Sequence, residues 1–148
     1  MRNMPFCMPV LLLLFAVSGV GVSIHTPSAT AAPTVTTTIT VGNQPRGVGV
    51  NSSTNRIYVA NYGSHTVSVI DGASNTVTST ISVGTNPWGV GVNSSTNRIY
   101  VANYTSNTVS VIDGASNTVV STISVGSSPR GVGVNSSTNR IYVANSGG

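Results

Sequence analysis

From residue 32 onward the chain has no Leu, Met, Phe, Lys, Glu or Cys. Losing Leu, Met, Lys and Glu together removes most of the strong helix formers, so helices are not expected there. Without Cys there is no disulfide framework, no thiolate metal site and no cysteine nucleophile. Titratable groups are almost as scarce. That stretch holds one His, His65, and two Asp, Asp71 and Asp113, against five Arg. The resulting basic excess is mild and scattered, whereas nucleic-acid binding usually needs clustered Lys and Arg on one face. Hydrolytic chemistry needs a nucleophile with a base in reach, paired carboxylates or a metal. No such constellation is visible, so no catalytic residue, no metal and no cofactor is expected.

What is present is Val, Ile, Thr and Tyr, residues suited to a pleated, half-buried surface. They are arranged in a 42-residue unit: Asn43–Gly84 and Thr85–Gly126 agree at 36 of 42 positions, and 127–148 begins a third copy. A period of this length marks a propeller or a solenoid. Each whole copy contains four short apolar runs, in the first Gly47–Val50, Arg56–Tyr62, Thr66–Ile70 and Thr76–Val83. The short connectors between them are rich in Asn, Asp, Gly and Ser, which favour turns. Consecutive runs are therefore antiparallel neighbours, and each copy reads as a four-stranded meander, one propeller blade. Gly47 and Gly49 place the first run innermost, because Gly suits a strand that another backbone approaches closely. The predicted fold class is all-β, an incomplete β-propeller of about two and a half blades.

The domain expectation follows from the same repeat. Residues 1–31 read as a secretory signal: Arg2, then an apolar core over Val10–Val17 that fades toward Ile24, then Ala29-Thr30-Ala31 as a small-residue cleavage pattern. His25 ends the apolar run short of the ~20 residues that span a bilayer, so a mature chain starting at Ala32 with no membrane span is expected. Residues 34–42 copy the fourth run of the repeat and read as an orphan outer strand, followed by blades over 43–84 and 85–126 and a half blade over 127–148. Closed propellers have roughly 4–8 blades. The chain is accordingly expected to belong to a longer propeller protein, or to complete a ring from further copies of itself.

The repeating residues are Pro45-x-Gly47-Val48, Asn55–Asn61 (NRIYVAN), Thr66–Asp71 (TVSVID) and Asn75-Thr76-Val77, repeated from Pro87 to Val119 and from Pro129 to Asn145. On these residues the unit resembles the YVTN-family β-propeller repeat of surface-layer and secreted proteins, with Ala60, Ala102 and Ala144 where the motif usually has Thr. The resemblance covers essentially the whole mature chain. It implies extracellular blades, often in cell-surface proteins, and no single activity.

Arg56 and Arg98 open the second strands, and Asp71 and Asp113 open turns. With a symmetric hairpin, Arg56 faces Asp71 and Arg98 faces Asp113 as structural cross-strand ion pairs. Five of the six differences between the whole copies fall at one end of the blade: Asn43/Thr85, Gln44/Asn86, Arg46/Trp88, Gly63/Thr105 and His65/Asn107. Loops carry function on a rigid scaffold, so Arg46, His65, Trp88, Asn107 and Arg130 are the candidate ligand-binding residues. Arg46, Trp88 and Arg130 would form a cationic and aromatic rim. Asn51, Asn93, Asn103 and Asn135 fit the N-glycosylation pattern. The expected function is a non-catalytic binding or structural scaffold, secreted or at the cell surface, with the periplasm as a further address. Its partner would be an extracellular or cell-surface ligand, not nucleic acid. The alternative is part of a propeller enzyme, lactonase-like or quinone-dependent, whose active site lies in other blades.

Overall fold

The computed structural model describes residues 35–147. The expected signal segment, 1–31, lies outside them. Ten strands follow one another: β1 Pro45–Asn51, β2 Arg56–Asn61, β3 Thr66–Asp71, β4 Thr76–Ser82, β5 Pro87–Asn93, β6 Arg98–Asn103, β7 Thr108–Asp113, β8 Thr118–Ser124, β9 Pro129–Asn135 and β10 Arg140–Asn145. They form two four-stranded sheets, β1-β2-β3-β4 and β5-β6-β7-β8, and a two-stranded sheet of β9 and β10. Every pairing is antiparallel. Among the described residues there is no helix. The expected propeller of two and a half blades is what the chain forms.

Each tight turn ends on a residue of positive φ, and Asn supplies most of them: Asn55, Asn75, Asn97, Asn107, Asn117 and Asn139. Asn adopts this region at lower cost than most side chains, and His65 fills it with φ 56° at one turn. That is the local reason the chain reverses where it does.

The blades fan out from their first strands. β1 lies against β5 and β5 against β9, while the outer strands β4 and β8 barely touch. The inner glycines make this approach possible. A Cβ on Gly49 would come within 2.7 Å of Val90 Cγ1, and one on Gly47 would overlap the Trp88 carbonyl oxygen. The core lies between blades one and two and consists of Tyr58, Ala60, Val67, Val69, Ile81, Ile99, Val101 and Ile112. One repeat further on, Tyr100, Val109, Ile123, Val125, Ile141 and Val143 line an apolar groove beside β10. In the first interface Ile112 of β7 joins the equivalent residues. Among the described residues no further blade packs on the face of β10 that carries Tyr142, so Tyr142 stays 58% exposed.

The expected orphan outer strand over 34–42 is described in part. Its described part, 35–42, joins no ladder among the described residues. Its position is nevertheless that of an outer strand end. Gly42 sits on the Asn61 side chain as Gly84 sits on Asn103 and Gly126 on Asn145.

Three of the glycosylation signals change meaning. Asn51 and Asn93 are fully buried, and their Nδ2 groups donate across the blade boundary to Asn97 Oδ1 at 2.8 Å and Asn139 Oδ1 at 2.9 Å. Asn103 is buried as well, donating to Thr108 and Ser110 within its own sheet. Of the four, Asn135 alone is exposed. The Asn51 and Asn93 turns at this end clamp each blade to the next.

Candidate functional site

The opposite end of the blades is built differently. A bulge interrupts the β1–β2 pairing between Pro45 and Val48, and the same irregularity recurs in β5 and in β9–β10. Two residues of the inner strand there oppose one on its partner, which bends the strand and re-aims a side chain. The residues in the bulges include Arg46, Trp88 and Arg130. Sequence equivalence through the 42-residue repeat becomes spatial adjacency, because the three inner strands converge.

The three side chains meet in a ladder with Tyr62 and Tyr104, the first residues after β2 and β6. The Arg46 guanidinium lies 5.4 Å from the Tyr62 ring centroid and 5.0 Å from that of Trp88. Arg130 lies 4.8 Å from Trp88 and 5.3 Å from Tyr104. Trp88 stands edge-on to Tyr62 and tilted against Tyr104, with centroids 5.6 Å apart in each case. All four cation–ring distances fall within the ~6 Å over which a ring quadrupole attracts a cation, worth about 0.5–1 kcal/mol at exposed sites. Hydrogen bonds from Arg130 and Ser128, with the Arg130 charge, hold the Tyr104 phenol below the ordinary tyrosine range.

The structure thus brings together three of the five candidate residues, Arg46, Trp88 and Arg130. His65 and Asn107 do other work. His65 Nδ1 accepts from the Asn86 N–H at 3.1 Å, and Asn107 Oδ1 accepts from the Ser128 N–H at 2.8 Å. Each caps the linker into the next blade, so imidazole and amide are interchangeable acceptors at one position. His65→Asn is therefore expected to leave stability unchanged. His65→Ala removes the acceptor, and its loss is expected to be near the lower end of the ~0.5–1.5 kcal/mol for a neutral hydrogen bond, because the site is exposed. Urea denaturation of the two variants checks this. Equal loss in both would mean that Asn does not replace the imidazole as acceptor, and no loss in either that the Asn86 contact carries no energy.

Tyr62 and Tyr104 belong to the candidate site by geometry and are not among the sequence-based candidates. They are identical in the two whole blades, so the differences between copies do not mark them. Their adjacency to the variable Gly63 and Thr105 was the available signal, as was Ser146 at the same position of the third copy.

The expected ion pairs are half formed. Arg56 faces Asp71 and Arg98 faces Asp113 in the strand register. A direct contact closes only between Arg98 and Asp113 among the described residues. Arg56 and Asp71 are the correction. Asp71 Oδ1 already accepts from the Ala73 N–H, the Ser74 N–H and Ser74 Oγ, so its turn satisfies it without the guanidinium. Backbone hydrogen bonds, first from Ser74 and then from Ala73, hold the Asp71 carboxyl below the usual range. Asp113 is lowered by the Ala115 backbone hydrogen bond and then by the Arg98 charge. These acids lie at the end of the strands away from the ladder. Among the described residues no three His, Cys, Asp or Glu side chains gather as a metal site would need.

Comparison with known proteins agrees with this architecture. The NHL repeat family model matches residues 43–70 and 85–112, which span the first three strands of each whole blade. No curated protein matches the chain. Among solved structures, Kuenenia stuttgartiensis hydrazine synthase is similar at TM-score 0.68 and 26% identity, over 79% of this chain and 33% of that one. The β-propeller domain of Myceliophteria thermophila Cps50 (Swd1) is similar at TM-score 0.64 and 15% identity, over 76% of this chain and 35% of that one. A functionally unknown protein from Desulfotomaculum acetoxidans DSM 771 gives TM-score 0.62 and 16% identity, over 71% and 36%. The chain spans about a third of the length of the solved chains it matches. It is a β-propeller repeat protein.

Proposed function

We propose that this chain is a non-catalytic binding and structural module of YVTN type, exported to the cell surface or the extracellular space, and part of a larger propeller assembly. The observation that carries the reading is the contrast between the two blade ends. One end is spent on an asparagine clamp that repeats unchanged. The other collects the sequence differences and exposes Arg46 and Arg130 on an aromatic ladder. Rigid strands presenting a varied end suit recognition of a ligand.

Export is supported by the pattern over residues 1–31, and the Cys-free, hydroxyl-rich repeat fits an extracellular address. Among the described residues no helix is long and apolar enough to cross a membrane. Fractionation of expressing cells, followed by mass spectrometry of the exported chain, tests the address. A mature terminus at Ala32 is expected, and exported material still beginning at Met1 would overturn cleavage in favour of an anchor. Turnover of a lactone, or quinone-dependent oxidation of an alcohol, by the same preparation would overturn the non-catalytic reading.

A further inference from the structure

We infer that the Arg46–Trp88–Arg130 ladder binds the carboxylates of an acidic polysaccharide, a uronate-type chain lying across the inner ends of the blades. The inference rests on the reading of this end as a binding surface and adds the chemistry of what is bound.

The first argument is charge. The whole chain has two side-chain carboxylates, Asp71 and Asp113. Both lie at the far end of the strands, Asp113 already held by Arg98. Arg46 and Arg130 therefore have no side-chain carboxylate beside them, and both are exposed. What fixes them instead is the aromatic stack. A guanidinium lying against a ring keeps in-plane N–H groups available, all of them at Arg46 and those not given to the Tyr104 hydroxyl at Arg130, and that rigid fork matches a carboxylate bidentately. Holding the fork in place before binding lowers the ordering cost that long side chains otherwise impose.

Geometry narrows the ligand. Each guanidinium carbon lies about 5 Å from the Trp88 centroid, so the two cations stand no more than about 10 Å apart. A separation within that bound can be met by carboxylates on neighbouring or alternate rings of one chain. The surroundings offer hydroxyl and amide groups, among them Ser64, Asn86, Thr105 and Ser128, whose partners include one another and the linker backbone. Such a rim can exchange hydrogen bonds with sugar hydroxyls. A peptide would need an apolar anchor pocket, which is where binding energy concentrates in protein interfaces. A single-stranded nucleic acid would need open aromatic faces for its bases, and here the guanidinium groups occupy them.

The test uses the full exported chain and isothermal titration with an oligogalacturonate. The same oligomer with its carboxylates methyl-esterified serves as the neutral control. Binding is expected for the acid form only, weakening as salt is raised. Arg46→Gln and Arg130→Gln should each weaken it about tenfold. Arg46→Lys should lose part of that, because the charge remains while the fork is gone. Arg56→Gln, which removes a cation from the opposite end, should change nothing, and circular dichroism confirms that each variant is folded. Equal binding of the esterified oligomer, or undiminished binding by the folded Arg46→Gln and Arg130→Gln variants, would overturn the inference. So would an oligodeoxynucleotide that competes as well as the uronate. If the uronate fails but another ligand binds and is lost in Trp88→Ala or the Arg variants, the carboxylate assignment fails while the binding end survives. If no ligand depends on these residues, the reading of the end itself fails.

Discussion

Tyr58→Ala is expected to be among the most damaging single changes in the chain, costing about 3–5 kcal/mol, the range for removing a large aromatic from a sealed core. Tyr58 is fully buried at the blade one–blade two interface, among Val67, Ile81, Ile99 and Val101. Its repeat equivalent, Tyr100, is half-buried beside the open groove, so Tyr100→Ala is expected to cost distinctly less. The near-identical sequences make this a direct measure of what interface completion contributes. Tyr58→Phe should behave in the opposite way. The Tyr58 hydroxyl is buried without a hydrogen-bond partner, and burial raises its pKa. Removing an unsatisfied buried polar group relieves a desolvation penalty of about 1–3 kcal/mol, so the Phe variant should be as stable as the parent or more so. Urea melts of the three variants decide it. A destabilised Tyr58→Phe would show that the hydroxyl has a partner, such as a bound water. Equal losses in Tyr58→Ala and Tyr100→Ala would show that blade two is covered as completely as blade one.

The second large effect is expected at the inner strands. An added Cβ at Gly47 would overlap the backbone oxygen of Trp88, and one at Gly89 would overlap that of Arg130. A backbone carbonyl cannot rotate aside as a side chain can, so the neighbouring inner strands must separate. Overpacking of this kind costs about 1–3 kcal/mol per site. Gly47→Ala and Gly89→Ala lie at successive boundaries, and their combination should approach the sum of the two. Gly131 provides the internal control, because a Cβ there meets nothing closer than Ala144 Cβ at 3.5 Å. Gly131→Ala should be nearly neutral. Thermal denaturation of the set tests the arrangement, and equal effects at Gly47 and Gly131 would contradict convergence of the inner strands. The same separation would pull Arg46 and Arg130 away from Trp88, so the change should also quench differently the fluorescence of this lone tryptophan.

Much of the architecture was legible in the sequence because it is locally encoded. Alternating Val, Ile and Thr between Asn-rich turns specifies short strands, and connectors of a few residues leave antiparallel neighbours as the outcome. The repeat then says that each unit is the same, and Gly47 and Gly49 mark the strand that must be approached closely. Even the opposition of Arg98 and Asp113 follows from hairpin symmetry.

What the sequence could not determine depends on contacts between units. Asn51, Asn93 and Asn103 look like surface acceptors in a linear reading, and the tertiary structure buries them, two in clamps that cross the blade boundary. Arg56 and Arg98 occupy identical local sequences, yet only Arg98 closes on its Asp, because competition among turn hydrogen bonds is settled by side-chain geometry. Tyr62 and Tyr104 joined the candidate site only when convergence of the inner strands stacked them on Arg46, Trp88 and Arg130. Residues 42 apart in the chain meet there because the fan brings equivalent positions of successive blades to one place. Local propensity fixes each blade. Packing between blades decides which of its side chains are core, clamp or exposed cation.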